Sequence, residues 1–126
     1  MNVLFVCVAN SGRSVMAERL FRALGTEHEA RSAGSAPGTA PHPHVVTALA
    51  EVGIDASDHV PRALDAAALD WADVAVSTCA EEVCPVTPGV RRISWAVRDP
   101  KGLPLGDVRA IRDEIAAKVA ALPAEL

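Results

Sequence analysis

Cys7 and Arg13 are separated by the five residues Val8, Ala9, Asn10, Ser11 and Gly12 and followed at once by Ser14. A loop of this length between a strand end and a helix start converges its amides and the helix N-terminus on one point. Such a nest favours a tetrahedral anion and holds a thiol beside it as the thiolate, the nucleophilic form of cysteine. Arg13 offers a planar fork that can hold two oxygens of that anion, which a lysine point charge does less well. Ser14 can add a hydroxyl hydrogen bond to the sulfur. Gly12 permits a backbone geometry that a β-carbon blocks, and Asn10 can brace the loop by its side-chain amide. Taken singly, Cys7 is a core cysteine and Arg13 a surface arginine. Together, between a strand and a helix, they read as a nucleophile and its anion clamp, with Val8 through Ser14 (Val8, Ala9, Asn10, Ser11, Gly12, Arg13, Ser14) as the oxyanion-binding loop.

Two more thiols, Cys79 and Cys84, bring the cysteine count to three. An odd number argues against a fully paired secreted framework, and in a reducing compartment such residues serve catalysis or metal binding. A pair of thiols gives up two electrons in forming one disulfide, so the spacing suits redox chemistry. Cys-x4-Cys also resembles half a zinc site. Zinc needs four ligands, however, and His42 and His44 lie in a separate loop with no spacing that nominates them, so neither metal nor cofactor is expected. Asp99-Pro100 lies in a turn-like stretch, and on sequence alone Asp99 reads as a residue that starts a turn.

The elements that must hold these groups follow from periodicity. Residues 2–8 form a β-branched and aromatic run, as in a strand buried on both faces of a parallel sheet. Asn10-Ser11-Gly12 supplies turn and cap chemistry, after which Met16, Leu20, Phe21 and Leu24 recur at helical spacing until Gly25. A second strand–helix unit reads from Glu29 to Ala33 and from Pro41 to Val52, joined by a Gly/Pro/Ser-rich loop. A short helix from Ala63 to Trp71 leads into a strand over Asp73 to Thr78, a fourth strand covers Arg91 to Trp95, and an amphipathic helix runs from Gly106 to Leu122. Trp71 and Trp95 are expected in the core. The alternation predicts one α/β domain over residues 1–126, an open parallel sheet covered on both faces. Ligands of such sheets sit at the carboxyl ends of strands near a topological switch point, and Cys7 falls at such an end.

Composition limits the partners. The 126 residues are half hydrophobic and 22% charged, as in a globular protein, and the formal net charge of −4 leaves no broad basic surface for nucleic acid or an anionic membrane. The apolar run from Val3 to Ala9 is far shorter than the ~18 residues of a membrane span, and no basic n-region precedes it, so a cytoplasmic location is expected.

Val3-Leu4-Phe5-Val6-Cys7, Asn10-Ser11-Gly12-Arg13-Ser14 and Met16-Ala17-Glu18, continued by Ser32-Ala33-Gly34, Gly53-Ile54-Asp55, Cys84-Pro85, Trp95 and Asp99-Pro100, resemble the low-molecular-weight protein tyrosine phosphatase superfamily, and in particular its arsenate reductase branch. The resemblance implies a four-stranded parallel sheet and makes Asp99 the general acid for the departing oxygen. It implies arsenate as substrate, with phosphate or sulfate as analogues, and a relay. Cys7 attacks arsenate, Cys79 attacks Cys7 and expels arsenite, and Cys84 attacks Cys79, leaving a disulfide for thioredoxin. Two departures stand out. The spacer between Cys79 and Cys84 is shorter than the thioredoxin-coupled branch leads one to expect, and the segment after Asp99 resembles mycothiol-dependent relatives, in which a low-molecular-weight thiol attacks the arseno-cysteine adduct. Asn10, Glu18 and Ser32 match a structural potassium site of some relatives, but Arg62 stands where its carboxylate is expected; Arg62 is either a guanidinium replacing the cation or a solvated surface residue. With no tyrosine and few other aromatics, the chain lacks the aromatic slot of the tyrosine phosphatase branch, which is the alternative reading.

Overall fold

The computed structural model describes residues 1–79 and 87–126; Cys84 lies outside the described residues. The elements in chain order are β1 (Asn2–Cys7), α1 (Arg13–Ala23), β2 (Glu29–Gly34), α2 (Pro43–Ala50), α3 (Ala66–Trp71), β3 (Val74–Ser77), β4 (Arg91–Ser94) and α4 (Leu105–Ala121), closed by a 3₁₀ turn over Leu122–Glu125. Among the described residues the strands form a four-stranded sheet in the order β2-β1-β3-β4, and every pairing is parallel. The chain passes from β1 to one neighbour, β2, and then crosses to the other, β3. The carboxyl end of β1 is therefore the switch point, and Cys7 is its last residue.

Side chains alternate across β1, so Val3 and Phe5 face one side of the sheet and Leu4 and Val6 the other. On the first side they join Val74 and Val76 in a large core closed by Val15, Met16 and Phe21 of α1, Val45 and Leu49 of α2, and Val108, Ile111, Ile115 and Val119 of α4. Phe5 stands at the centre of an aromatic group, with ring centroids 5.8 Å from Phe21 and 6.0 Å from Trp95. The second side is thinner: Leu4, Val6 and Ala33 pack against Leu64, Ala68, Trp71 and Ala72 around α3. Both tryptophans thus contribute to packing. β4 is an edge strand whose residues are mostly exposed. No helix among the described residues is long and apolar enough to cross a membrane.

Two helices begin later than the sequence predicts. α2 starts at Pro43 rather than Pro41, because the His42 N–H donates to the Ser11 carbonyl (2.9 Å) and holds the preceding chain against the first loop. α3 starts at Ala66 rather than Ala63, because Asp65 is its N-cap and accepts from the Ala68 N–H at 2.9 Å.

Candidate active site

Between β1 and α1 every carbonyl from Cys7 to Gly12 accepts a hydrogen bond. Ser35 N–H donates to Cys7 O, Ala36 N–H to Val8 O, Gly38 N–H to Ala9 O, His42 N–H to Ser11 O and Met16 N–H to Gly12 O. The Asn10 carbonyl accepts from His59 Nε2 at 3.0 Å. Segment 35–42 continues the pairing of β2 with β1 beyond the strand ends and binds the loop from outside. With its carbonyls consumed in this way, the loop presents no free lone pair to repel an anion at its centre.

The turn is made at Asn10, whose φ of 51° lies in the left-handed region that asparagine tolerates better than most residues. Its side chain is fully committed. Oδ1 accepts from the Arg62 N–H at 3.0 Å and from His59 Nε2 at 3.2 Å, while Nδ2 donates to Ser14 Oγ at 2.8 Å. Because both oxygens facing His59 Nε2 are acceptors, that nitrogen carries the hydrogen. Burial favours the neutral ring, holding the His59 pKa below its usual value, against the opposing hydrogen bond to Asn10. A Cys7 thiolate can only accept, so in that form the Ser14 hydroxyl donates to Cys7 Sγ, 2.9 Å away, and the Asn10 N–H donates to the same sulfur at 3.2 Å. A directed chain of donors thus runs from His59 through Asn10 and Ser14 to the nucleophile.

The Arg13 side chain, 5% exposed, donates from one terminal nitrogen to the Val97 carbonyl (3.0 Å), with the other 4.0 Å from Asp99 Oδ2. Asp99 is half exposed, and its Oδ1 accepts from the Lys101 N–H at 3.0 Å. Cys7, Val8, Ala9, Gly12, Arg13, His42, Asp99 and Lys101 enclose a cavity of ≈ 150 Å³. Gly12 leaves space for its neighbours: a β-carbon there would lie 2.8 Å from Pro100 Cγ and 3.2 Å from the His42 ring. Burial lowers the His42 pKa, aided by Lys101 and Arg13 and opposed by Asp99.

Cys79 is buried just past β3. The register sets Val6 level with Ser77, and both the N–H and the hydroxyl of Thr78 donate to the Val6 carbonyl, at 3.0 and 2.9 Å. Cys79 therefore follows immediately after the strand next to the one that ends in Cys7.

In the group formed by Asn10, Glu18, Ser32 and Arg62, the exposure of Arg62 matches the second of the two alternatives given above, a solvated surface residue, rather than a guanidinium replacing a cation. Ser32 Oγ donates to Glu18 Oε1 at 2.7 Å, and Glu18 Oε2 lies 3.2 Å from Arg19 Nε and 3.4 Å from an Arg22 terminal nitrogen. Arg62 is exposed, and among the described residues its guanidinium forms no ion pair. Its contribution is its main chain, which holds Asn10. The charge of Glu18 is matched by the two arginines of its own helix, which removes the reason for a third. Among the described residues no group of three or more His, Cys, Asp or Glu side chains could hold a metal ion.

His42, His59 and Lys101 were not anticipated from sequence. His59 had no local signal, since its partner is 49 residues away; His42 could have been suspected from its place between the Gly/Pro loop and the first residue of α2.

A strand-end cysteine, an arginine at the first residue of the next helix and an aspartate facing that arginine meet at the switch point of the sheet. The model of the low molecular weight phosphotyrosine protein phosphatase family matches residues 2–126. The chain belongs to this family. It is 40% identical over 122 residues to an arsenate reductase of Brevibacillus brevis, covering 93% of this chain and 90% of that protein. A crystal structure of arsenate reductase from Archaeoglobus fulgidus superposes with a TM-score of 0.87 at 37% identity, over 95% of this chain and 97% of that one. A thioredoxin-dependent arsenate reductase of Corynebacterium glutamicum superposes with a TM-score of 0.80 at 33% identity; it matches 98% of this chain and 60% of its own length. The family fold is the four-stranded parallel sheet with flanking helices described above.

Proposed function

We propose that this protein reduces arsenate to arsenite, with Cys7 as nucleophile and thiols as the source of electrons. The observation that carries the reading is Cys79, buried just beyond the end of the strand beside that of Cys7. A phosphoester hydrolase needs one cysteine and a water, whereas taking As(V) to As(III) needs two electrons, which a thiol pair supplies. The similarity to named arsenate reductases over nearly the whole chain supports the same reading.

In the proposed sequence the Cys7 thiolate attacks arsenic, forming an S–As bond while an oxygen leaves as water with a proton from Asp99. Arg13 and the loop amides hold the remaining oxygens. The Cys79 thiolate then attacks Cys7 Sγ. An S–S bond forms, the S–As bond breaks, and its electron pair stays on arsenic, which departs as arsenite. Cys84 attacks Cys79, returning Cys7 as a thiolate and leaving a Cys79–Cys84 disulfide. A dithiol protein of the thioredoxin class reduces that disulfide, in keeping with the thioredoxin-dependent relative.

The test is arsenite release by wild type and by Cys84→Ser, with thioredoxin and, separately, a mycothiol regenerating system. Cys84→Ser should release about one arsenite per chain and stop as a Cys7–Cys79 disulfide, identified by mass mapping. Sustained thioredoxin-driven turnover of that variant would sink the relay. Sustained mycothiol-driven turnover of a variant lacking both Cys79 and Cys84 would replace it with the low-molecular-weight-thiol route.

A further inference from the structure

The cavity of ≈ 150 Å³ at Cys7 is not the largest opening in the molecule. On the thin side of the sheet a cavity of ≈ 370 Å³ lies between β2 and α3, within the size range of small-molecule sites, and the chemistry proposed above makes no use of it. Its cause is visible in the sequence. α3 has only six residues, begins with three alanines (Ala66, Ala67, Ala68) and buries none of its residues, so the space between it and the sheet is left unfilled. Leu4 and the alanines give the cavity an apolar floor, and Trp71 forms a wall.

Two cations stand at this opening. The Arg31 guanidinium lies 4.3 Å from the centre of the Trp71 ring, and exposed Arg62 stands between this cavity and a polar one lined by Glu18, Asp58 and His59; among the described residues neither arginine is engaged in an ion pair. Asp65 is the sole acid of the lining, and one of its carboxylate oxygens already caps α3. The open edge of β2 adds main-chain groups. At Gly34 the outward N–H and C=O are already bonded to Arg62 O and Leu64 N, and the strand alternation turns the main-chain groups of Ser32 to the same edge. A bare oxyanion would leave the indole and the alanines uncovered, and a hydrocarbon would leave both guanidiniums without a counter-charge. A flat ring carrying a carboxylate satisfies both.

Arg62 also connects this cavity to the nucleophile. Arg62 lines the cavity, its N–H holds Asn10 Oδ1 at 3.0 Å, and Asn10 in turn donates to Ser14, which lies 2.9 Å from Cys7 Sγ. We propose that the cavity between β2 and α3 is a second ligand site for a small aromatic carboxylate, and that its occupancy alters the reactivity of Cys7 through Arg62 and Asn10. To the extent that occupancy changes anion affinity in the Cys7 loop, an anion there changes affinity at the second site by the same factor; the alkylation rate carries no such equality. The proposal does not depend on the reductase reading, and none of its readouts requires turnover.

The test uses 3-phenylpropionate as probe and its neutral amide as control, followed by tryptophan emission. Trp71 is the reporter, since Trp95 lies in the main core. Saturable binding with Kd of roughly 1 mM or tighter is expected, at least tenfold weaker for the amide. Arg62→Gln should weaken binding at least fivefold. Ala67→Leu, which keeps a helix-favouring residue while filling the void, should abolish it with unchanged circular dichroism. Saturating probe should also change the rate at which iodoacetamide alkylates Cys7, read by mass mapping, at least twofold in wild type and not in Arg62→Gln. Absence of saturation, equal binding of the amide, or displacement by inorganic phosphate that grows without limit, rather than levelling at a fixed shift in Kd, overturns the site. Binding that leaves Cys7 alkylation unchanged overturns the coupling.

Discussion

Arg13 is held at both ends of its guanidinium, by the Val97 carbonyl and near Asp99, so its fork is already oriented when an anion arrives. Arg13→Lys keeps the charge and loses the fork. Affinity for arsenate or sulfate should fall roughly tenfold or more by calorimetry, about 1.4 kcal/mol, although the fold is retained. His59 acts one step further from the sulfur. His59→Ala leaves the Asn10 oxygens short of a buried donor and should cost about 1–3 kcal/mol in urea unfolding, with slower alkylation of Cys7. Glutamine can present a donor at a similar position, so His59→Gln should recover most of that loss. Cys7 and Arg13 were legible in the sequence because their relation is local, a fixed number of residues on a strand–loop–helix path. The roles of His59 and of the Arg62 main chain were not, since both depend on contacts about fifty residues away that no spacing encodes.

The same contrast governs the elements. β1, α1 and α4 were predictable because each carries an apolar pattern dictated by burial, whereas the starts of α2 and α3 depend on hydrogen bonds made by His42 and Asp65. The join between β2 and the loop is the tightest point of the frame. A β-carbon on Gly34 would lie 2.3 Å from Val8 O and 2.9 Å from Asn10 N, both main-chain atoms of the anion loop. Gly34→Ala should therefore destabilise by about 3 kcal/mol and lower anion affinity as well. Gly53→Ala serves as the comparison. Its φ of +83° carries a torsional cost of about 1–2 kcal/mol, but no atom lies within 4 Å, so melting temperature should fall while sulfate binding is unchanged.

For the molecule as a whole, two imidazoles with lowered pKa values, buried His59 and partly buried His42, shape the change of stability just below neutral pH. His42 and His59 both have folded pKa values below 6.5, so above that pH each ring is neutral in folded and unfolded chains alike. As pH falls through 6.5 the unfolded chain takes up protons first, and stability declines until the lowered folded values are passed. Urea midpoints should therefore drop between about pH 7 and pH 5, and His59→Gln should flatten that drop. The parallel sheet was expected from the alternation of strands and helices, but the unequal thickness of its two sides was not, because it depends on how little α3 fills. The chain that clasps the anion loop from outside also has a bearing on biosynthesis. Cys7 is made before the segments that clasp its loop, since the partners of the loop carbonyls lie mostly at Ser35 to His42 and at His59. In a nascent or partly folded chain the Cys7 sulfur therefore lacks the directed donors of the finished loop, and the loop takes its shape only when the later segment closes over it.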